Sequence, residues 1–443
     1  MNSDDTVQPG GGRPRRERFK SARTRARILE AAATLLSERG YAATRIGDVA
    51  ELAEMQGPAL YYYFASRDEL IEEVIATGQR GVVAHVTAAL DGAAHDPLDR
   101  ILAAVAAHLE YVLTTSAFAS ASIRNFAQLP EEVQQRQVRF RQAYGDIWRA
   151  LFREAERVGD LDPVLDVHAA RMLVIGALNW TCEWWDPGKG SLDDLVSAAR
   201  RFVRDALTGR SVAAPAALTG GDRGPDEREG ETERKSVRSR RRILAAAARV
   251  LSARGYSGTR LSDVAEAADM QAASIYYHFA SRDELIEEVV RDGVRRTDAH
   301  VRAALGAMPP DASPLDRLDQ AVTAHLSFCL SSPDVTVATI RNAGQLPADI
   351  ARRQREAEAE YGAVWRELIA GVVNAGGPAA ATDPRITRML ILGALNQTAE
   401  WSDRDRSPEP IVRTARAMVR NALGRGTAAA APLAPLFRSP AAG

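Results

Sequence analysis

Apolar positions recur along this chain at intervals of three and four, the spacing of one helix face. Ile28, Ala32, Leu35 and Leu36 form a first stripe that stops at Gly40, a residue suited to a helix C-terminus. A shorter stripe, Ile46, Val49, Ala50 and Leu52, follows Thr44, which predicts Thr44 as its N-cap. After the brief connection Ala53-Glu54-Met55-Gln56, Pro58 fits the first turn of a third helix through Ala59 to Phe64. Ser66 with Glu69 then forms a capping box that opens a long fourth helix. From about Leu70 to Leu207 the pattern is long amphipathic helices broken at Pro97, Pro130 and Pro163.

The whole pattern occurs twice. Ala65 to Val74 returns letter for letter as Ala280 to Val289, and Arg39-Gly40-Tyr41 returns as Arg254-Gly255-Tyr256, both 215 residues later. Ile123-Arg124-Asn125 and Gly176-Ala177-Leu178-Asn179 return 217 residues later, so two residues enter before Pro314, at Met308-Pro309-Pro310. Ser281 with Glu284 repeats the capping box, and Pro314, Pro347 and Pro384 repeat the breaks between Leu285 and Leu423. Between the copies, Gly, Pro, Ala and charged residues dominate without apolar periodicity, as expected of a flexible linker. A coil of that size, roughly 25 residues, spans on the order of 25 to 30 Å and joins neighbouring domains without dictating their arrangement. The expected divisions are a basic arm at 1–20, units at 21–66 and 67–207, the linker at 208–233, units at 234–281 and 282–424, and a tail at 425–443.

Composition narrows the class. With 46% hydrophobic residues, abundant Ala and Leu and few β-branched runs, the 443-residue chain is expected to be all-α and multidomain. No apolar stretch approaches the ~18 residues of a membrane span, and the polar N-terminus does not resemble a secretory signal, so a cytoplasmic location is expected. Cys182 and Cys329 occupy non-equivalent places in the repeat and suggest no disulfide framework or cysteine metal site. Net charge is −1, but its distribution is uneven. Arg13, Arg15, Arg16, Arg18, Lys20, Arg23, Arg25 and Arg27 crowd the start of the first copy, and Arg234, Lys235, Arg238, Arg240, Arg241 and Arg242 the start of the second. One such run reads equally well as a solvated arm; its recurrence before the same helical pattern favours phosphate contacts.

Two short helices joined by a tight turn form the arrangement that lays the second one in the major groove of DNA. In helical order, in Arg-Gly-Tyr ending the first helix, and in Leu60-Tyr61-Tyr62-Tyr63-Phe64 followed by Ser66-Arg67-Asp68-Glu69-Leu70, the first copy resembles the TetR family of bacterial regulators. The second copy matches with Thr259, Asp263-Val264-Ala265, Ser274-Ile275-Tyr276-Tyr277-His278-Phe279 and Ser281 to Leu285. The resemblance implies two tandem units, each a three-helix helix-turn-helix domain followed by a helical-bundle effector and dimerisation domain. It also implies double-stranded operator DNA as partner, faced by Thr44, Arg45, Gln56, Gly57, Ala59, Tyr61 and Tyr62, and by Thr259, Arg260, Gln271, Ala272, Ser274, Tyr276 and Tyr277. Gln reads adenine in a bidentate way, while Thr, Tyr and Arg more often hold phosphates. Leu60, Phe64, Ile275 and Phe279 are expected in the core; for Tyr61 and Tyr276, core packing and phosphate contact both stand open.

The family binds near-palindromic operators as a dimer, so one chain with two units is expected to act as a covalent pseudo-dimer. Gly57-Pro58 against Ala272-Ala273, and Tyr63 against His278, predict half-sites that are related but unequal. By the same resemblance the last two helices of each copy, about Val167 to Trp185 with Leu192 to Leu207 and about Arg385 to Trp401 with Ile411 to Leu423, pair into a four-helix bundle. Tethering raises their effective concentration to roughly millimolar, and further homo-oligomerisation is left open. A second reading keeps the fold and gives one copy only a dimerisation role.

Between reading heads and bundle lie His108, Tyr111, Phe126, Tyr144, Trp148, Asn179, Trp180 and Trp184, and in the second copy His325, Phe328, Tyr361, Trp365, Asn396 and Trp401. Aromatic stripes are more often core than ligand cage, yet together these residues have the makings of an apolar pocket with polar anchors. Gly176 to Trp184 is similar to effector domains that sense fatty-acyl or steroid-derived coenzyme A thioesters, implying a small hydrophobic or acyl-CoA-like effector. No cofactor, metal site or catalytic set is expected: the seven histidines make no His-Glu-x-x-His, and Gly-x-Ser-x-Gly and phosphate-binding glycine loops are missing from the sequence.

Overall fold

The computed structural model describes residues 15–93, 95–115, 117–209, 235–342, 345–375, 383–403 and 405–424. Most of the expected arm at 1–20, the linker at 208–233 and the tail at 425–443, with Arg13 and Arg234, lies outside them. Among the described residues every regular element is helical. The first copy runs α1 (Arg15–Arg39), α2 (Ile46–Leu52), α3 (Gly57–Leu60), α4 (Arg67–Asp91), α5 (Pro97–Glu110), α6 (Ala117–Asn125), α7 (Glu131–Val158), α8 (Val167–Asn179), α9 (Thr181–Trp184) and α10 (Leu192–Thr208). The second repeats it as α11 (Lys235–Gly258), α12 (Leu261–Ala267), α13 (Ala272–Tyr276), α14 (Arg282–Gly306), α15 (Pro314–Ser331), α16 (Pro333–Asn342), α17 (Ala348–Asn374), α18 (Pro384–Asn396), α19 (Thr398–Trp401) and α20 (Glu409–Leu423).

Local chemistry places the boundaries. Gly40 (φ 79°) ends α1 and Gly255 (φ 69°) breaks α11, both in the left-handed region that favours glycine. Ser66 Oγ accepts the Glu69 amide at 3.1 Å and Glu69 Oε2 accepts the Ala65 amide at 2.7 Å; Ser281 and Glu284 do the same. The expected capping boxes therefore form, with the glutamate reaching one residue beyond the N-cap. Helix α3 is shorter than its pattern predicts: after Leu60 the chain continues as turns in which the Tyr63 and Phe64 amides both return to the Leu60 carbonyl. One difference separates the copies within the effector half. A π-turn at Tyr111–Thr115 follows α5, whereas the equivalent α15 runs on unbroken to Ser331.

Three large hydrophobic cores result, beside a small cluster of Tyr111, Val112 and Ala119. Each reading head has its own: Ile28, Leu36, Val49, Leu60, Phe64 and Leu70 in the first, and Ile243, Leu251, Val264, Ile275, Phe279 and Leu285 in the second. Both borrow residues from their effector half, Leu129 and Val133 or Leu346 and Ile350. The effector halves share one continuous core, with Trp148, Phe152, Leu173 and Leu178 of one copy joined to Trp365, Leu390, Leu395 and Val412 of the other.

The two copies meet where α8 packs on α18 and α10 on α20. The closest approach is at a pair of equivalent glycines. A Cβ on Gly176 would stand 2.8 Å from Gln397 Cβ, and one on Gly393 would stand 2.5 Å from Trp180 Cβ. Around this seam the repeat is broken by polar insertions. Leu102 is buried in α5, but its counterpart in α15 is Asp319, also buried and bound by both arms of Arg416 of α20. Arg200, the α10 equivalent of Arg416, is exposed. Asn421 donates to Asp162 of the other copy at 2.8 Å.

The seam bears directly on stability. Alanine in a helix interior normally gains about 0.5 to 1 kcal/mol over glycine, but Gly393→Ala forces overlap with Trp180, and overpacking costs about 1 to 3 kcal/mol. The expected outcome in thermal unfolding is a lower midpoint for Gly393→Ala and an unchanged or higher one for Gly306→Ala, where a Cβ meets nothing. Arg416→Ala removes two hydrogen bonds from the buried Asp319 carboxylate and leaves it to Arg420, whose Nε stands 3.4 Å away, so it is expected to cost about 1.5 to 3 kcal/mol; adding Asp319→Leu, the residue type the first copy carries, is expected to restore part of it in chemical denaturation.

Candidate functional site

Each reading head is hung from one arginine. Arg67 Nε donates to the Thr44 carbonyl at 2.7 Å, its Nη2 to the Tyr41 carbonyl, and its guanidinium lies 4.3 Å over the Tyr41 ring. Tyr41 Oη donates to Asp68 at 2.8 Å. Arg282, Thr259, Tyr256 and Asp283 repeat the set, with 2.6 Å, 4.4 Å and 2.7 Å for the corresponding contacts. Burial, then the bond to Asp283, pushes the Tyr256 hydroxyl up to about 12, so it stays a proton donor. These contacts explain why Arg-Gly-Tyr and Ser-Arg-Asp-Glu recur so strictly: they join the loop before α2 to the first turn of α4, and before α12 to α14. Arg67 and Arg282 were not singled out as functional from the sequence, though the letter-for-letter repeat around them carried the signal.

The motif itself is a tight pair. Helix α2 ends at Leu52 with Ala53 as its C-cap, and Glu54 turns the chain at φ 52°; Asp269 does so at φ 50° after α12. Val49, Ala50, Val264 and Ala265 are buried beneath the pair, as are Leu60, Phe64, Ile275 and Phe279, the expected core positions. Presented outward are Arg45, Gln56, Ala59, Tyr61 and Tyr62, with Gly57 half-buried, and Arg260, Gln271, Ala272, Tyr276 and Tyr277, with Ser274 half-buried. The tyrosines are the largest exposed apolar surfaces of the heads: 57% and 64% exposed at Tyr61 and Tyr62, 59% and 82% at Tyr276 and Tyr277. Core packing is thus excluded for Tyr61 and Tyr276, and both rings are free to meet a partner.

One expectation needs correction. Thr44 is not an N-cap, and neither is its counterpart Thr259. The N-cap positions belong to Arg45 and Arg260, while the threonine hydroxyls are buried and donate to the Gly40 and Gly255 carbonyls at 2.8 Å each. The left-handed glycines curl the loop so that each hydroxyl closes over its own helix end. Several residues of the basic runs also make contacts within the heads: Arg25 stacks on Phe64 at 4.7 Å, Arg240 on Phe279 at 5.0 Å, and the exposed Arg242 donates to the Ala268 carbonyl at 2.6 Å.

In the effector halves the residues proposed as ligand anchors divide into groups. His108 Nδ1 meets Tyr144 Oη at 2.5 Å, with Trp148 edge-on to Tyr144 at 6.2 Å. His325 Nδ1 meets Tyr361 Oη at 2.6 Å, and Trp365 stands edge-on to both rings. Burial pushes both histidines down to about 4, so both are neutral, and holds both tyrosine hydroxyls protonated by raising them well above their usual range. The copies differ at the other ring nitrogen. His325 Nε2 is closed by Asn396 Oδ1 at 3.0 Å, whereas His108 Nε2 is buried with no partner.

Other candidates lie apart. Tyr111 and Phe328 pack beside His85 and His300, Phe126 belongs to the first head's core, and Trp180 lies on Gly393 at the seam. Asn179 is half-buried, as are Trp184 and Trp401 at the rim of the shared core. Two surface grooves occur elsewhere. One, about 620 Å³, lies between α4 and α7 among Glu72, Glu73, Arg80 and Arg136; the other, about 370 Å³, borders Trp184, Lys189 and Arg385. No group of three or more His, Cys, Asp or Glu side chains among the described residues is placed to hold a metal ion, and no single helix there is long and apolar enough to cross a membrane.

Comparison with known proteins agrees with this geometry. Residues 28–74 and 243–289 match the family described as bacterial regulatory proteins, tetR family. Residues 94–207 and 311–423 match the family described as tetracyclin repressor-like, C-terminal domain. The chain is 25% identical over 174 residues to the HTH-type transcriptional repressor KstR2 of Mycolicibacterium smegmatis, covering 38% of this chain and 82% of that protein. It is 27% identical over 199 residues to KstR2 of Rhodococcus jostii, covering 43% and 92%. The match to KstR2 of Mycobacterium tuberculosis, 35% identical over 83 residues, spans 18% of this chain and only 40% of that protein. Among solved structures, the TetR family transcriptional regulator PfmR from Thermus thermophilus is 28% identical with a TM-score of 0.37, over 40% of this chain and 96% of that one. The chain belongs to the TetR family of transcriptional regulators, and it carries the family's DNA-binding helix-turn-helix domain and its C-terminal domain twice.

Proposed function

We propose that this chain is a ligand-responsive repressor whose two copies act as a covalent pseudo-dimer on one near-palindromic operator. The observation that carries this reading is the outward display of the same residues on both heads, Tyr61 and Tyr62 on one and Tyr276 and Tyr277 on the other, above effector halves that share a single core. Exposed tyrosines beside Arg45, Gln56, Arg260 and Gln271 combine phosphate-holding hydroxyls and cations with amides able to read adenine. The half-sites differ because Gly57-Pro58 faces DNA where the second head has Ala272-Ala273. Repression rather than activation is favoured by the names of the KstR2 relatives.

The effector in this reading is a small hydrophobic or acyl-CoA-like molecule that enters the effector half, and His108, neutral and with one ring nitrogen unpaired inside an apolar surround, is its polar anchor. Ligand favours a state in which α4 and α14 swing the heads out of register with successive major grooves. The second reading, with one head active and the other copy serving only to dimerise, is disfavoured by the exposure of the tyrosine pair on both heads.

Selection from a random duplex library by the purified chain is expected to return two related, unequal half-sites; a perfect palindrome overturns the pseudo-dimer reading. Replacing Tyr61 and Tyr62 by Ala, or separately Tyr276 and Tyr277, is expected to weaken binding to the selected duplex by roughly tenfold to a hundredfold in each case, the order of one to three kcal/mol. An effect from one pair alone points to the single-head alternative. For whichever acyl-CoA in a panel releases the duplex, calorimetry is expected to show weaker binding to the DNA-bound chain than to the free chain, by the factor through which it weakens DNA binding.

A further inference from the structure

Each reading head is gripped by both effector halves, and the grip is crossed. The end of α6 and the turn after it carry two amides three residues apart. Asn125 Nδ2 donates to the Leu36 carbonyl at 2.9 Å, near the end of its own α1. Gln128 reaches the other copy: a Cβ on Gly255 would stand 2.6 Å from Gln128 Oε1 and 3.2 Å from its Nε2. The second copy mirrors this. Asn342 Nδ2 points to the Leu251 carbonyl at 3.5 Å, and Gln345 lies on Gly40, where a Cβ would stand 2.5 Å from Oε1 and 2.8 Å from Nε2.

The two glycines are not incidental positions. Both have positive φ, both receive the hydroxyl of the threonine that leads into the motif, and both precede the tyrosine on which the Arg67 or Arg282 lock is built. Anything that fixes Gly40 or Gly255 therefore fixes the pose of a whole reading head. The heads also meet directly, since a Cβ on Gly258 would lie 3.6 Å from Ala42 Cβ. Gln128 is buried and its Nε2 has no hydrogen-bond partner, so it is held by fit against the glycine.

We propose that Gln128 and Gln345 are positioning residues that set the spacing between the two reading heads, each effector half holding its own head through Asn125 or Asn342 and the opposite head through its glutamine. A shift of one effector half is thereby delivered to both heads, and occupancy of a single effector site suffices to change the spacing. The spacing claim rests on the reading that both heads engage one operator; the crossed grip does not.

The test uses the full chain with Gln128→Ala and Gln345→Ala, and with Gln128→Asn and Gln345→Asn, which keep an amide but draw it back from the glycine by one methylene should the alanine forms fold poorly. Hydrogen–deuterium exchange is read on peptides covering 36–53 and 251–268. The expected result is crossed: the Gln128 variants speed exchange in 251–268 and the Gln345 variants in 36–53. Faster exchange only in the variant's own head, or none in either, overturns the grip. The duplex recovered by library selection is then compared with the same duplex carrying one inserted base pair between its half-sites. The variants are expected to lose several-fold of the discrimination between these two spacings. An equal loss of affinity at both spacings marks a general destabilisation and overturns the spacing role. If no duplex is enriched by the parent chain, the two-headed reading fails, while the exchange result still decides the grip.

Discussion

The arrangement depends on how closely α8 and α18 approach. Two helices pack at about 8 to 10 Å when ordinary side chains intervene, and glycine at both crossing points removes that spacer. Gly176 receives Gln397 and Gly393 receives Trp180, so each copy supplies both the notch and the residue that fills it. Such reciprocity is what a two-fold interface requires, and here it is satisfied inside one chain. With the seam closed, Trp148 and Trp365 fall into one shared core, α10 lies against α20, and the α6 and α16 ends come within reach of the opposite heads. Loosening that seam would remove the shared core and the crossed grip together.

The reading heads follow a different logic. Their own cores are small, and each borrows Leu129 and Val133 or Leu346 and Ile350 from the effector half below. A head is thus only partly independent of the effector half it rests on. The arginine lock adds direction, because Arg67 and Arg282 stand at the first turn of α4 and α14 and hold the loop carbonyls of the motif.

Much of this was legible in the sequence because it rests on local patterns. Helical periodicity, proline breaks and capping residues marked the elements, and the offset repeat marked the two copies before any contact was known. The burial of Leu60, Phe64, Ile275 and Phe279 followed from the same periodicity. What was not legible depends on the third dimension. Thr44 looks like an N-cap because it precedes an apolar stripe, yet the left-handed Gly40 turns its hydroxyl back onto α1. The basic runs give no hint that Arg25 and Arg240 also stack on the rings of Phe64 and Phe279. The aromatic residues of the effector halves look like one cage and are several groups, because residues such as Phe126 and Trp180 face neighbours no spacing rule could name.

Joining two copies in one chain also changes which substitutions are tolerable. In a dimer of identical chains every change at the axis is made twice and must suit itself. Here position 141 is Arg and its equivalent, 358, is Glu. Arg141 sits near Glu400 and Arg341 of the other copy, and burial lowers its proton affinity. Burial raises that of Glu358, and Glu183 of the other copy adds to the rise. Asp319 with Arg416, and Asn421 with Asp162, are likewise made once, where the first copy keeps Leu102 and an exposed Arg200. The effector cores differ even where the residues agree: Asn396 closes the ring nitrogen of His325, whereas that of His108 is unpaired although Asn179 stands at the matching position. A covalent pair held by reciprocal glycines but free to differ elsewhere can therefore keep the symmetry that duplex DNA demands of its heads while assigning unequal tasks to the halves beneath them.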